Sequence, residues 1–477
     1  MEENFISLES SGLNDFDHFK NIVTITEDGG DKSVSYEYKP KLQKSNFIIE
    51  DYYGSIKDQN GKNVVIKKYV LVNEHGVNIE IINYGATILS CWVPNTLGEI
   101  DDVILGFDTL DDYRLNNAHY IGGTIGRVTD YITNGNFVSP GGHIIELTKN
   151  IGSHHYNGGK NGFDKVIWDG YVSENKLVMT YTSLDSEEGY PGSCQTRVIF
   201  QLTCKNELII DYVSMTSKPT PLNISMNIFF NLAGHDAGES EVLNHSIMVN
   251  ADEYIVIKLP DRTPVGLFGN VERTCLDLRV PRLLKRAFVH VPGSGYNHTF
   301  KLFKGNDRKA FNLAASLVHK PSGRTLDVYT DMPCIHVNTA QGFPDYGILD
   351  RINKNSAKVT DLVPPSAIFG ESGSEHHSEG VEDTTINSLE QLVSEDMEEG
   401  TTIKIPETNL YLNNKATINS PIIGKSKTIY NKLSGISLRP QLFPDAPNHD
   451  NFGNIITQPS NFYSQRVIYK FGVIETN

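Results

Sequence analysis

The sequence predicts an all-β protein built around one large antiparallel sandwich or barrel-like sheet. Short runs such as "VVIKKYVLV", "VNIEIINYG", "ATILSCWVP" and "ELIIDYVSM" alternate in polarity or are fully apolar, and turn signals such as "QNGK", "NTLGE" and "PGG" separate them. No helical period persists over four turns between residues 52 and 343. Many short strands joined by regular turns are typical of antiparallel sandwiches and barrels.

The chain divides by composition into an extension and one interrupted β domain. Residues 1–51 are polar with weak periodicity and are predicted to be a flexible N-terminal extension. The strand pattern of 52–477 breaks between about 345 and 428, where the segment 371–400 holds many acidic residues and no Lys or Arg. Such a segment does not readily bury a core, so we expect a low-order acidic insertion within one domain.

Composition also excludes several classes of protein. The net charge is −16 with no basic cluster, so nucleic acid is not an expected partner. No apolar run reaches the length of a membrane span, and the acidic start lacks the features of a signal peptide. The expected compartment is the cytoplasm, with the nucleus as the alternative. The five cysteines form no C-x-x-C pair, and neither a metal site nor a cofactor is expected.

The stretch "TPLNISMNIFFNLAGH" (220–235) reads as a buried strand that carries three asparagines, Asn223, Asn227 and Asn231. Spaced by four, they would point to one face of a strand, because side chains alternate with period two. An unpaired buried amide costs about 1–3 kcal/mol, so each needs partners. The spacing therefore predicts one asparagine face and raises the question of whether that face lines a pocket.

Seven stretches in order resemble the aldose 1-epimerase (galactose mutarotase) family. They are "INYGATILSCWVPNTLGEIDDVILGFDTLDDY" (82–113), "GGTIGRVTDYITNGNF" (122–137), "NGGKNGFDKVIW" (157–168), "PLNISMNIFFNLAGH" (221–235), "GYNHTFKL" (295–302), "SGRTLDVYTDMPCIHVNT" (322–339) and "GISLRPQLFPDAPN" (435–448). The resemblance implies a large β-sandwich of the galactose-mutarotase type, with a sugar cleft across a concave sheet face.

The resemblance also implies where the family's acid and base would stand. Mutarotation needs a base for the anomeric hydroxyl and an acid for the ring oxygen. Arg439 in "GISLRPQ" occupies the position of the family's glutamate base, and Asn227 that of its histidine acid. Asn157 in "YNGG" stands at the second histidine. Arginine accepts no hydrogen bond and asparagine has no proton to give at neutral pH, so no catalytic residue is expected.

The sugar-binding positions implied by the family motifs have changed as well. They fall on Asp130 and Tyr131 in "GRVTDY", on Asn297 in "GYNH" and on Met332 in "TDMP". Two functions are open: an inactive family member that binds, with another protein as its target, or a divergent aldose 1-epimerase or carbohydrate-binding protein for hexoses such as galactose or glucose. The loss of both acid and base favours the first.

Arg439 raises a separate question about charge. A cation at the floor of a former sugar cleft is costly if it is desolvated and unpaired. Asp130 is the simplest partner, since it is also new relative to the family pattern. Either the two side chains pair and fill the cleft floor, or both face water.

The acidic insertion contains a candidate helix for binding a partner. In "NSLEQLVSEDMEEG" the apolar residues Leu392, Val393 and Met397 lie three, four and eight positions after Leu389, which places all four on one stripe of a helix. A helix this short is marginal alone in water, so the stripe needs a groove to order it. The alternative is an acidic loop with incidental apolar residues.

Overall fold

Strands make up most of the regular structure, in a computed structural model that describes residues 22–28, 31–37, 46–57, 61–291, 295–305, 307, 310–344 and 421–474. In chain order the strands are β1 Ile22–Asp28, β2 Asp31–Glu37, β3 Phe47–Lys57, β4 Asn63–Val72, β5 Asn78–Ile82, β6 Thr87–Pro94, β7 Ile100–Asp102, β8 Thr124–Ile125, β9 Tyr131–Ile132, β10 Asn136–Val138, β11 Ile144–Glu146, β12 His155–Tyr156, β13 Asp169–Ser173, β14 Lys176–Ser183, β15 Cys194–Leu202, β16 Glu207–Thr216, β17 Thr220–Pro221, β18 Ser225–Met226, β19 Phe229–Phe230, β20 His245–Val249, β21 Ala251–Lys258, β22 Thr263–Asn270, β23 Arg282–Leu283, β24 Asn297–Leu302, β25 Asn312–His319, β26 Arg324–Thr330, β27 Cys334–Asn338, β28 Ile422–Ile423, β29 Ile429–Tyr430, β30 Ile436–Gln441, β31 Ile456–Thr457 and β32 Tyr463–Val473.

Helical structure in the described residues is short. The α-helices are α1 Gly238–Val242 and α2 Leu284–Ala287, with a π turn at Asp112–Asn116 and 3₁₀ turns at Thr133–Gly135, Phe163–Lys165, Glu187–Gly189, Phe288–His290, Lys425–Lys427, Ala446–Asn448 and Asp450–Phe452. Within the part of the chain that the structure describes, no helix has the length and apolar character needed to cross a membrane.

Three antiparallel sheets organise the molecule. A nine-stranded sheet has the order β13-β14-β15-β16-β32-β26-β25-β20-β23, and a six-stranded sheet has the order β19-β30-β27-β24-β21-β22. A five-stranded meander runs β3-β4-β5-β6-β7. The runs singled out in the sequence correspond to β4, β5, β6 and β16, so the prediction of an all-β fold from short alternating segments is confirmed.

One contiguous core joins the three sheets. It contains buried side chains of the nine-stranded sheet (Ile210), the six-stranded sheet (Val337 and Leu438) and the meander (Ile79). The Tyr469 hydroxyl, on β32, donates to the carbonyl oxygen of Leu438 on β30 at 3.0 Å and so ties the two larger sheets together. Full burial of one aliphatic side chain of this kind contributes about 1.5–3 kcal/mol.

The six-stranded sheet separates this core from a polar face. Along β30 and β27 the side chains alternate, because successive residues of a strand point to opposite sides. Leu438 and Val337 join the core, whereas Arg439 and His336 lie on the other face. Thr299 of β24 pairs with His336, which pairs with Arg439, so one polar row crosses three neighbouring strands.

The stretch 220–235 does not form the single strand that its pattern predicts. It forms three two-residue strands, β17, β18 and β19, which pair with β31, β8 and β30. The three asparagines therefore do not share one face. Asn227 lines the cleft, Asn223 hydrogen-bonds to Leu442 and Asn231 to Ser434. Tertiary pairing with three different neighbours overrides the local period.

The N-terminal region differs from the predicted extension in two ways. The meander begins with β3 at Phe47, five residues before the predicted boundary at residue 52, and β1 and β2 form a hairpin within the extension. The strand β3 pairs along β4, whose pattern the sequence did reveal. Residues 345–420, which include most of the predicted insertion, lie outside the described residues.

A polar cleft as the candidate functional site

A cleft of about 90 Å³ lies on the polar face of the six-stranded sheet. Its floor comes from β24, β27 and β30, and its walls come from residues 118–120 and 156–157, the β21–β22 hairpin and Phe343. Six of the positions predicted from sequence line this cleft: Asp130, Tyr131, Asn157, Asn227, Asn297 and Arg439. The structure therefore brings together residues that are more than 300 positions apart in the chain.

Arg439 and Asp130 form a buried ion pair at the floor of the cleft. Arg439 Nη2 donates to Asp130 Oδ1 at 2.8 Å, and the side chains are 3% and 8% exposed. Gln441 Nε2 donates to the second carboxylate oxygen at 2.6 Å. Burial alone would raise the pKa of Asp130, but the charges of Arg439 and the hydrogen bonds from Gln441 and Arg439 lower it, and the net pKa is lowered. The predicted pairing is confirmed, and the alternative in which both face water is wrong.

Asn157 uses its side chain to hold the segment that carries Asp130. The Asp130 backbone N–H donates to Asn157 Oδ1 at 2.9 Å, and the Asn157 N–H donates back to the carbonyl oxygen of Asp130 at 3.0 Å. Both residues have positive φ, +63° and +48°, a region that Asp and Asn tolerate better than most residues. The oxygen of Asn157 is thus committed to the backbone.

Both polar atoms of the Asn227 amide, which the family resemblance predicts at the position of the acid, are hydrogen-bonded. Its Nδ2 donates to the carbonyl oxygen of His119 at 2.9 Å, and its Oδ1 accepts from the Ser437 hydroxyl at 3.0 Å. The amide therefore joins the cleft wall to β30. It has no ionisable proton, so it adds no acid to the cleft.

Asn297 and His336 form a neutral hydrogen-bonded chain. His336 Nε2 lies 2.9 Å from Asn297 Oδ1, and its Nδ1 lies 2.8 Å from the Thr299 hydroxyl. Burial lowers the pKa of His336 to about 3 and that of the neighbouring His298 to about 4. Both imidazoles are uncharged at neutral pH, so His336 donates through Nε2 and accepts through Nδ1.

Arg262, which the sequence analysis missed, contributes a cation to the cleft from the turn between β21 and β22. Its Nη2 donates to the backbone oxygen of Asn297. Its charge also lowers the pKa of His298 and of His336, after the larger effect of burial. Its one signal in the sequence is its place in "PDRT", a turn between two strands, which lies outside every family motif.

Aromatic rings form the upper walls of the cleft. Tyr131 and Tyr156 lie 4.8 Å apart between ring centroids, and Tyr120 meets Tyr156 at 6.1 Å. The His119 ring, which also lines the cleft, packs 4.6 Å from Phe343. Only Tyr131 was predicted. Tyr120 and Tyr156 each stand within two residues of a family glycine motif, a proximity that offered the only signal.

Two further predictions on site residues have different outcomes. Met332, predicted to be a former sugar-cleft position, does not line the cleft. It is buried in the turn between β26 and β27, where its N–H donates to the Thr330 hydroxyl at 3.1 Å. The candidate partner stripe (Leu389, Leu392, Val393 and Met397) lies outside the described residues. Among the residues described, no group of three or more His, Cys, Asp or Glu side chains could hold a metal ion.

The fold is an all-β sandwich, and its six-stranded sheet carries a polar cleft on its outer face. This arrangement is typical of the galactose-mutarotase type. Solved structures share the fold: an aldose epimerase homologue from C. elegans (TM-score 0.63, 20% identity, 84% of this chain and 97% of that chain) and a galactose 1-epimerase from Lactobacillus acidophilus (TM-score 0.61, 19% identity, 90% and 99%).

Sequence comparison places the chain more narrowly. Residues 67–368 match the family model described as aldose 1-epimerase. The chain is 30% identical over 400 residues to galactose mutarotase from Homo sapiens, covering 83% of this chain and 92% of that protein. It is 29% identical over 428 residues to galactose mutarotase from Rattus norvegicus, covering 89% and 99%. The chain belongs to the aldose 1-epimerase family.

Proposed function

We propose that this chain is a non-catalytic member of the aldose 1-epimerase family whose cleft binds a ligand without epimerising it. The observation that carries the proposal is Arg439, which stands at the position of the family's base within a buried ion pair. A guanidinium stays protonated at physiological pH and accepts no hydrogen bond, so it cannot take the proton of an anomeric hydroxyl.

The other ionisable groups of the cleft do not replace the missing pair. Asp130 is held as a carboxylate with one oxygen on Arg439 and the other on Gln441. The imidazoles of His119, His298 and His336 all have pKa values lowered to about 3 or 4 by burial, which makes them weak bases and leaves them without a proton to give at neutral pH. Each positioned acid or base typically contributes about 10²–10⁴-fold to a rate.

The proposal that the cleft binds a ligand rests on its shape and on the groups that line it. It is concave, walled by aromatic rings and supplied with polar groups, which is the usual composition of a small-molecule site. Of the described residues, none accepts a hydrogen bond from Nδ2 of Asn157 or of Asn297. These two amides remain available to a ligand.

Polarimetry of α-D-glucose and α-D-galactose tests the catalytic half. With micromolar protein, we expect the mutarotation rate to equal the buffer background. A galactose mutarotase from the family serves as the positive control under the same conditions. A rate within tenfold of that control would refute the proposal.

Restoring the proton-transfer groups should not by itself restore the reaction. The variant with Arg439→Glu, Asn227→His and Asn157→His keeps Tyr131 and Asn297, so the sugar would still be misplaced. Positioning contributes as much to a rate as proton transfer does. Because Arg439→Glu also removes the partner of Asp130, circular dichroism must first show that the triple variant folds. We expect the folded variant to remain at background in the same assay, and a rate well above background would show that the three substitutions alone account for the loss.

A second candidate function, binding of another protein, is favoured by the apolar stripe of residues 389–397 in the acidic insertion. This proposal rests on the sequence pattern, and deletion of residues 371–400 tests it.

A further inference from the structure

The charged groups that face the cleft do not balance. Arg439 and Asp130 neutralise one another within their ion pair. Arg262 then remains as a cation, because within the described residues no carboxylate oxygen lies within 4.0 Å of its guanidinium. The carboxylate of the preceding residue, Asp261, lines a neighbouring pocket rather than the cleft. Among the residues that the structure describes, the cleft lining thus has a net positive charge, in a chain whose net charge is −16.

Apart from the backbone oxygen of Asn297, which accepts from Arg262 itself, the side-chain groups next to Arg262 are hydrogen-bond donors. His298 Nδ1 accepts from the Asn297 backbone N–H at 3.1 Å, so the neutral ring carries its proton on Nε2. Asn297 Oδ1 is occupied by His336, which leaves its Nδ2 as a donor. A guanidinium, an imidazole N–H and an amide N–H therefore belong to one end of the cleft. Both oxygens of Asp130, which could accept, are already bonded to Arg439 and Gln441.

We propose that the cleft binds an anionic polyhydroxylated ligand, a sugar that carries a phosphate or a carboxylate, with the anion held by Arg262, His298 and Asn297. This inference rests on the proposed binding function of the cleft and names its ligand class. In this arrangement the anion lies at the β21–β22 turn, and the hydroxyl-bearing ring occupies the rest of the cleft.

The chemistry favours an anion over a neutral hexose. A hydroxyl group donates as well as accepts, whereas the Arg262, His298 and Asn297 groups that would hold it can only donate. Phosphate and carboxylate oxygens only accept, and they match the fork of a guanidinium in a charge-assisted pair about twice as strong as a neutral hydrogen bond. A neutral sugar over Arg262 would displace water from a cation without compensating its charge.

Calorimetric titration of the full chain tests the ligand class. The probes are D-glucose, D-galactose, D-glucose 6-phosphate, D-glucuronate and inorganic phosphate. We expect a charged sugar to bind at least tenfold more tightly than either neutral hexose and than inorganic phosphate. The ratio between the phosphate ester and the uronate identifies which anion the site prefers. The affinity for the charged sugar should fall as the salt concentration rises, since ions screen the partly exposed pair of Arg262 and the anion.

A matched pair of arginine variants locates the anion. Arg262 and Arg273 both have φ near +60° in turns, but Arg273 is 92% exposed and does not line the cleft. Arg262→Gln should lower the affinity for the charged sugar at least tenfold, whereas Arg273→Gln, with the same change of charge, should leave it unchanged. Arg262→Lys keeps the charge without the fork and should lose less than Arg262→Gln.

The outcomes separate this inference from the function on which it rests. Equal affinity for neutral and charged sugars, or an Arg262→Gln variant that binds as the native chain does, overturns the anionic ligand but leaves a binding cleft. Inorganic phosphate that binds as tightly as the sugar phosphate means an adventitious ion only and also overturns it. Binding of none of the five probes overturns both proposals.

Discussion

At the residue scale, the pair of Arg439 and Asp130 is the feature on which the cleft floor depends. The carboxylate accepts from Arg439 and Gln441, and its backbone is held by Asn157. Both charges are buried, so each compensates the desolvation of the other. Removing one partner leaves an uncompensated buried charge, which typically costs 3–5 kcal/mol.

We therefore expect Asp130→Asn to lower the free energy of unfolding by about 3–5 kcal/mol in urea at pH 7. The matched control is Asp211→Asn, which breaks the pair that Arg466 makes with Asp211 at 2.6 Å, with the arginine half exposed. Exposed pairs are worth about 0–1 kcal/mol. Adding Arg439→Met to Asp130→Asn should recover much of the loss, since no buried charge remains. Equal costs for the two aspartate variants would contradict the expectation.

The same pair predicts the direction of a pH dependence. The pKa of Asp130 is lower in the folded protein than its ordinary value of about 3.9. Its contribution to stability is therefore fully present above about pH 5 and is lost as the pH falls through the folded-state pKa. The stability difference between the native chain and Asp130→Asn should shrink between pH 5 and pH 2, as measured by urea unfolding across that range. A difference that is constant with pH would mean that Asp130 is not an ion-paired carboxylate.

Sequence reasoning reached part of this site and missed the rest for physical reasons. The partnership of Arg439 with Asp130 was predictable, because a new buried cation needs a new anion nearby. Gln441 and Ser437 complete the hydrogen-bond network from β30. Neither was predictable, because glutamine and serine are as common on a protein surface as in a buried network. Arg262 enters the cleft from a turn, where composition alone indicates exposure.

At the element scale, short loops rather than long strands position the cleft walls. The loop 157–159 carries Asn157 and folds back against residues 126–127. Gly158 has a φ of +83°, and a Cβ there would overlap the carbonyl oxygen of Gly126. Both the backbone conformation and the packing therefore require glycine.

We expect Gly158→Ala to lower the melting temperature by more than the conformational penalty of a non-glycine residue at positive φ would explain. The control is Gly142→Ala in the β10–β11 hairpin, where φ is +79° but no atom lies within 4 Å of the added Cβ. The control should lose only the conformational penalty of about 1–2 kcal/mol. Differential scanning calorimetry of the two variants measures the gap, and similar melting temperatures would show that the close approach to Gly126 has little weight.

Strands were predictable from sequence where each pairs with one neighbour along its whole length, and not where several partners divide one stretch. The hairpin strands β14 to β16 pair with chain neighbours along their whole length, and their alternation is visible in the sequence. The stretch 220–235 has the same apolar text, but three partners from distant parts of the chain divide it. No local pattern records such pairings.

At the scale of the whole molecule, the insertion separates the strand that carries Arg439 from the rest of the family pattern. The family model matches residues 67–368, whereas β30 begins at Ile436. The two ends of the insertion meet, because the Lys432 N–H donates to the carbonyl oxygen of Pro344 at 2.9 Å. The returning segment is fixed by Lys425, which binds the buried carboxylate of Asp102 and the carbonyl oxygen of Leu89. The return of strand-like text predicts one β domain interrupted by an insertion, but no pattern in the sequence indicates these anchoring contacts.

Deleting residues 371–400 should leave the β domain almost as stable as before. The deletion falls within the 76 residues between 344 and 421, and both anchored ends stay in place. Shortening that span from 76 to 46 residues changes the closure entropy by only about 0.4 kcal/mol, in the stabilising direction. Thermal unfolding of the full and shortened chains checks this, and a loss of several kcal/mol would show that the apolar stripe of residues 389–397 packs on its own domain.

The proposed binding of a partner by the stripe needs a sharper test than deletion alone. We expect a protein that co-purifies with the full chain to be lost on deletion of 371–400 and also on Leu392→Asp, because a carboxylate on the apolar stripe would be buried in the partner's groove. The control is Gln391→Asp, which adds the same charge about 200° around the helix from Leu389, on the face opposite the stripe. Quantitative pull-down with the three variants gives the comparison. If Gln391→Asp weakens the interaction as much as Leu392→Asp does, the segment binds through its acidic charge as an extended chain, and the helix is the wrong account.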